Sequence, residues 1–258
     1  MNQSKEQPRL EDRLAARERP EGRSPVMFQR WRDLLFLHWE FEPREIQETL
    51  PPGLYTDTFK DSAYVGVVPF FMRDVHPVLL PSIPGISNFL ELNLRTYVYD
   101  ERGTPGVWFY SLDANQWLAV ELAKRFFGLP YYRAQMNSKT NEGGEIIFSS
   151  RRLNADSRLR STFHYRGFGP VRNADADSLE FFLTERYVLF SYFRKQERLM
   201  MGRVHHKPYP LLDAEVAEWD DKLFELNGLR RPGRQPDHII LSPGVDVDVF
   251  AVYTSSSS

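Results

Sequence analysis

Four polar side chains, Glu91, Asn93, Arg95 and Tyr97, recur at every second position of one segment, with Leu92, Leu94, Thr96 and Val98 between them. On an extended strand that spacing puts the polar four on one face and the other four on the opposite face. A carboxylate, a carboxamide, a guanidinium and a phenol lining an enclosed space can bind a small polar ligand, with the Arg95 fork clamping a carboxylate through paired hydrogen bonds. The plainer alternative is that Glu91 and Arg95 belong to a structural ion-pair network, or that their face is simply wet. Further on, Tyr131, Tyr132 and Arg133 follow Pro130. A tyrosine there can donate a hydrogen bond or act as a general acid, or merely pack.

Other chemistry is less well supported. His38 shares a period-two face with Leu34, Phe36 and Glu40, which suits a hydrogen-bonded core histidine as well as a ligand contact. His205 and His206 are adjacent, so on a strand they point to opposite sides and cannot chelate one ion together. No HExxH spacing occurs, and no metal site is expected. Ser111 and Asp113 lack the GxSxG setting of a nucleophile, and Asp113 has a simpler use as a helix cap. Neither a Walker nor a dinucleotide glycine pattern is present, so no cofactor is expected.

The elements that must position these groups are mostly strands. Leu34 to Phe41 and Ala63 to Met72 have strand composition, with Pro69 marking an edge or a bulge, and Pro43 onward reads as a short helix stopped by Pro51, Pro52 and Gly53. Val78 to Ser87 reads as a loop. After the Glu91 strand, ERGTPG turns the chain into Val107 to Leu112, and Asp113 or Asn115 can cap a helix reaching about Phe127. Strands are expected at Ile146 to Ser150 and Ser161 to Arg166, a short helix capped by Asp177 or Ser178, a hairpin of Tyr187 to Arg194 with Leu199 to His206, and a last helix over Ala214 to Asn227. Ile239 to Val252 reads as a strand interrupted by SPG. Many strands with a few helices and no strict βαβ order predict an α+β protein with a largely antiparallel sheet or barrel.

Composition sets the outer bounds. The 258 residues, 41% hydrophobic and 26% charged, suffice for one domain or at most two. A net charge of −2 with dispersed Lys and Arg argues against nucleic acid, and the absence of cysteine excludes thiolate chemistry and disulfides. No apolar run is long enough to span a bilayer and the first residues are polar, which predicts no membrane association and a cytoplasmic location. Residues 1–24 read as a disordered N-terminal extension or an isolated helix around Leu10 to Arg19, a helix lying on the domain surface being the blander alternative. Residues 25–253 read as one domain and 254–258 as a frayed tail. Aromatic residues make up 14% of the chain, which leaves room for a homo-oligomer interface.

The block from Phe89 to Ala134 resembles the acetoacetate decarboxylase-like superfamily, and more closely its DUF2071 or YqjF-like branch. The motifs carrying the resemblance are RWRDLLFLHW at Arg30 to Trp39, ELNLRTYV at Glu91 to Val98, PGVWFYSLDA at Pro105 to Ala114, LPYYRA at Leu129 to Ala134 and LTERY at Leu183 to Tyr187. The resemblance implies a decarboxylase-like β-barrel over 25–253 with a few flanking helices. In the decarboxylases a Gly-x-Pro is followed by paired lysines, one of which forms an imine with a β-keto acid while its neighbour lowers its pKa. Here those positions hold Tyr131 and Tyr132, and the nearest amines, Lys124 and Lys139, read as solvated surface groups. A glutamate matching Glu91 lies near the reactive centre of those enzymes.

These implications give the functional expectation: a barrel that takes a small carboxylate or carbonyl compound without a Schiff-base lysine. Glu91, Tyr131 and Tyr132 are the candidate catalytic groups, and Arg95, Asn93, His38 and Arg133 the candidate ligand contacts. An enzyme of this kind would be lyase-like or hydrolase-like without a covalent imine. The alternatives are a non-catalytic sensory or binding module, or a structural subunit with a filled barrel.

Overall fold

Strand after strand in this chain carries apolar side chains at both alternating sets of positions, as in Leu34–Phe41 and Val67–Met72, so those strands must be covered on both faces. The computed structural model describes residues 6–117, 128–194 and 196–255. In chain order its elements are α1 (Leu10–Arg17), β1 (Met27–Phe41), α2 (Pro43–Gln47), β2 (Leu54–Thr56), β3 (Ala63–Pro77), β4 (Phe89–Asp100), β5 (Pro105–Ala114), β6 (Tyr131–Thr140), β7 (Ile146–Arg152), β8 (Ser161–Arg172), α3 (Leu179–Thr184), β9 (Val188–Phe193), β10 (Arg198–His205), β11 (Leu211–Glu218), α4 (Lys222–Glu225), β12 (His238–Val249) and β13 (Tyr253–Thr254). No helix of the described residues is long and apolar enough to cross a membrane. The expected helix running to Phe127 lies outside the described residues.

The strands form one 13-stranded sheet that forks at two places. Along one edge β5 pairs with β4 throughout; along the other it meets β9 at Val107 and Trp108 and then β6 from Leu112 to Ala114, both in parallel. β12 is forked likewise, pairing with β11 at Leu241 and with β10 at Asp248 and Val249, while β1 runs antiparallel along its other edge. The strands β12, β1, β3, β4 and β5 are therefore a wall shared by two rings. The larger ring is closed by β6, β7, β8 and β11, the smaller by β9 and β10. All pairings apart from those of β5 with β6 and β9 are antiparallel, and the fold is α+β as expected.

Alternation assigns each wall residue to one ring. Leu35, Leu37, Trp39, Val65, Val67, Leu92 and Leu94 pack with Phe148, Phe163 and Phe224 in the larger. Leu34, Phe36, Val68, Phe70, Leu112 and Tyr131 pack with Val204, Tyr209 and Val247 in the smaller. Pro69 sits where the β1–β3 register slips between Arg32 and Leu37, beside Asp33 at a φ of 52°. A bulge there needs no amide from residue 69, so proline is tolerated inside a central strand.

Two expectations are corrected, and the N-terminal segment follows the surface-helix alternative, with α1 at Leu10–Arg17. Ala214 to Asn227 is not a helix: Leu211–Glu218 is a strand on β8, and only Lys222–Glu225 is helical. Leu212, Ala214 and Val216 pack on the core while Asp213 and Glu215 alternate with them, and this pairing outweighs the helix propensity of Ala and Glu. SPG does not interrupt β12, which passes through Gly244 at φ +130°, where a Cβ would lie 2.1 Å from the Trp31 carbonyl. The segment before Ser24 is tied down. Arg13 donates to both Asp57 oxygens at 2.6 and 2.7 Å, Arg203 donates to the Ala16 and Glu18 carbonyls at 2.8 and 3.0 Å, and Arg19 pairs with Asp248. Those carbonyls belong to the end of α1, whose unpaired acceptors favour a cation.

Asp57 is fully buried and also takes Arg186 Nη1 at 2.8 Å, so one carboxylate compensates two guanidinium groups. Burial, the largest influence on Arg186, lowers its pKa to about 10 against the raising effect of Asp57. Removing one partner of a buried pair costs about 3–5 kcal/mol. Asp57→Asn is accordingly expected to lose that much unfolding free energy in urea titration, and Arg13→Ala clearly less, because Arg186 keeps its partner.

Candidate functional site

β4 lies between β3 and β5 in the shared wall, and every residue from Phe89 to Asp100 is buried. Its leucines enter the larger ring, so Glu91, Asn93, Arg95 and Tyr97 project into the smaller. Polar groups enclosed in this way must find partners inside the protein or in a bound molecule.

Glu91 meets Tyr131 because β6 starts parallel to β5 with Tyr131 opposite Leu112, and the Pro130 carbonyl accepts from Leu112 N at 3.0 Å. Tyr131 Oη donates to Glu91 Oε2 at 2.8 Å, and the nearby Asn93 amide also favours the charged carboxylate. Loss of hydration outweighs both influences and, with a further push from Asp113, raises the Glu91 pKa to about 7. Burial, then the Glu91 charge, pushes the Tyr131 phenol well up, so it remains a donor. A carboxyl poised near neutrality can take or give a proton at little cost.

At the other end of the strand face, Arg95 Nη2 donates to the Leu183 carbonyl at 3.1 Å and approaches Tyr97 Oη at 3.5 Å. The guanidinium carbon is 5.2 Å from the Phe36 ring centre and 5.7 Å from that of Tyr97. Its Nε has no hydrogen-bond partner, and no carboxylate among the described residues pairs with it. Arg95 is only 8% exposed, so this is a cation held in the interior with neutral company.

Histidines flank it without sharing the charge. His38 Nε2 lies 2.7 Å from Tyr97 Oη, which itself donates to the Leu183 carbonyl at 2.8 Å, so His38 is the donor to the phenol; its Nδ1 is 3.3 Å from His238 Nδ1. Burial first, then His238 and Arg95, hold His38 well below the ordinary imidazole range. Gly66 makes room for it, since a Cβ there would come within 2.9 Å of His38 Cδ2. Across the ring His206 stacks on Tyr187, 4.5 Å between ring centres, and tilts against Tyr209 at 4.6 Å. Its Nδ1 lies 2.7 Å from the Lys207 carbonyl, its Nε2 is unpartnered, and burial is the main cause that lowers its pKa to about 4. Glu185 anchors this wall, accepting from Tyr187 Oη and from Tyr209 N at 2.9 Å.

Of the residues singled out by sequence, Glu91, Asn93, Arg95, His38 and Tyr131 come together, whereas Tyr132 and Arg133 do not. Tyr132 and Arg133 are exposed, the Tyr132 ring lying 3.8 Å from the Arg152 guanidinium carbon. Asp113 is no helix cap either: it ends β5, buried, and pairs with Arg152 at 2.7 Å. The sequence reading missed Tyr209, Glu185 and Tyr187 as neighbours of the site and set His206 aside. The β9–β10 hairpin groups them, and their place across the ring from β4 comes from the distant β10–β12 pairing, which no local pattern marks. The described lysines Lys60, Lys139, Lys207 and Lys222 are exposed or half-buried, and Lys124 lies outside the described residues. A surface cleft of about 450 Å³ is lined by charged residues such as Arg9, Asp12 and Glu101, none of them from this face.

A forked, ring-closed sheet with a polar strand face turned inward defines an acetoacetate decarboxylase-like fold, and solved structures agree. Acetoacetate decarboxylase from Legionella pneumophila superposes with a TM-score of 0.61 at 13% identity, covering 100% of both chains. The enduracididine biosynthesis enzyme MppR complexed with pyruvate gives 0.59 at 13% identity over 92% of this chain and 93% of that one. Within that fold the chain belongs to the DUF2071 family of uncharacterized conserved proteins, which it matches over residues 28–246. It is 38% identical over 213 residues to the uncharacterized protein YqjF of Bacillus subtilis, covering 82% of this chain and 85% of YqjF.

The Glu91 carboxyl has a signature in stability. Its folded pKa of about 7 exceeds the ordinary 4.5, so the folded state binds more protons between those values and loses stability as pH rises through that window. At about 1.4 kcal/mol per unit the full effect is roughly 3 kcal/mol, complete above pH 7. Buried histidines act in the opposite direction on acidification, so the difference between wild type and Glu91→Gln isolates the carboxyl. In urea unfolding at pH 5 and pH 8, Glu91→Gln is expected to gain on wild type by up to that amount at the higher pH.

Proposed function

We propose that the smaller ring binds a small carboxylate or carbonyl compound and acts on it without a covalent imine. Arg95 clamps the carboxylate, Glu91 exchanges a proton at the reacting end, and Tyr131 supports Glu91 as a hydrogen-bond donor. The observation that carries this reading is the Arg95 guanidinium, buried, with a free Nε–H and, among the described residues, no carboxylate beside it. A bound anion offsets the cost of holding that cation away from water, and a bidentate geometry suits it. Glu91 and Arg95 are four residues apart on the same strand face, about 13 Å between Cα atoms. Two further facts support the reading: structural neighbours are enzymes, and one of them, MppR, is described in complex with pyruvate.

The test exploits the conflict between binding and stability. Arg95→Met keeps the bulk of the side chain and removes the cation. It is expected to be at least as stable as wild type, by up to about 1–4 kcal/mol, while losing about 2–5 kcal/mol of carboxylate affinity in titration calorimetry. Unchanged carboxylate affinity in Arg95→Met would sink the proposal. For catalysis, turnover of a panel of small oxo, β-keto and hydroxy acids is measured in wild type and Glu91→Gln. Loss of turnover with binding retained in Glu91→Gln is the expected result, and binding without turnover in either protein makes the ring a receptor.

A further inference from the structure

The unsatisfied atoms of the smaller ring describe the ligand more narrowly than its charge does. Among the buried side-chain atoms without a partner are Asn93 Oδ1, Arg95 Nε and His206 Nε2. Arg95 Nε is a donor with a positive charge behind it. The other two are acceptors. Asn93 Oδ1 lies one alternation along the strand from Arg95, on the same buried face. His206 Nδ1 sits 2.7 Å from the Lys207 carbonyl, an oxygen that only accepts, so Nδ1 carries the proton and Nε2 presents a lone pair. The stack on Tyr187 and Tyr209 holds that ring in place, and Tyr209 packs edge-on against Phe36, the same ring that lies under Arg95.

A plain carboxylate answers Arg95 and leaves both acceptors unpaired. An oxo acid does worse, since its carbonyl oxygen would face acceptors. From this inventory we infer that the ring selects a carboxylate that also carries a hydroxyl donor, as a hydroxy acid or an enol acid does, with Asn93 Oδ1 and His206 Nε2 as the groups that read the hydroxyl. This rests on the reading of Arg95 as a carboxylate clamp. An ammonium would also donate, but it would bring a second cation beside Arg95, whereas a hydroxyl brings none. Sites built to hydrogen-bond a hydroxyl reject analogues lacking it because their own buried groups are left unpaired.

The experiment compares matched ligands by titration calorimetry on the full chain: lactate against pyruvate, β-hydroxybutyrate against acetoacetate, with propionate, butyrate and alanine as references. Wild type is expected to bind at least one hydroxy acid about tenfold or more tightly than its oxo partner and its unsubstituted reference. In His206→Phe, which keeps an aromatic ring in the stack, or in Asn93→Leu, that ratio is expected to fall toward one. Carboxylate binding that depends on Arg95 but shows equal or better affinity for the oxo acids, or for alanine, overturns the inference and leaves the clamp standing. So does a hydroxy-acid preference that survives both substitutions. Failure of every carboxylate to bind wild type overturns the clamp and the inference together. The wild-type ratio decides the matter even if a substituted protein does not fold.

Discussion

The structure depends on one constraint: β4 is covered on both faces along its whole length. A strand in that position cannot turn its polar face to water, so the alternation of Glu91, Asn93, Arg95 and Tyr97 with Leu92 and Leu94 becomes a division between two interiors. The forks at β5 and β12 follow from the same need, since each face of the shared wall requires its own cover. Everything that happens at the polar face is then decided by internal partners.

Burial acts on those groups in a consistent direction. It raises the Glu91 carboxyl and the Tyr131 phenol and lowers the imidazoles of His38 and His206, in each case favouring the uncharged form. A guanidinium has no such way out, because it does not give up its proton in proteins. The result is an interior in which the groups that can become neutral tend to do so, and Arg95 stands as the charge that cannot. Its location at the far end of the strand face from Glu91 separates the electrostatic attraction for a ligand from the group able to move a proton.

The polar face of β4, the strands on either side of it and Tyr131 could all be read from the chain, because alternation and Pro130 are local signals. What escaped reading was decided by pairing between distant segments. Ala214 to Glu218 has helical composition and becomes a strand because β8 offers an edge. Asp113 has the type and place of a helix cap and is claimed instead by Arg152, 39 residues away. His206 meets Tyr187 through the β9–β10 hairpin, but the ring that turns it inward closes only when β10 reaches β12, and α1 is held by Asp57, Arg203 and Asp248, none of which announces itself in the sequence of that segment. Tyr132 takes the strand position after Tyr131 and turns the other way, while Arg133 returns to the Tyr131 face by alternation yet is exposed.

The forked wall has an evolutionary consequence. On β1, Phe36 and His38 belong to the smaller ring while Leu35, Leu37 and Trp39 belong to the larger. Two independent texts are thus interleaved in one stretch of chain, letter by letter. Relatives can rewrite the text of one ring and leave the text of the other untouched, which makes the architecture a durable host for changing interiors.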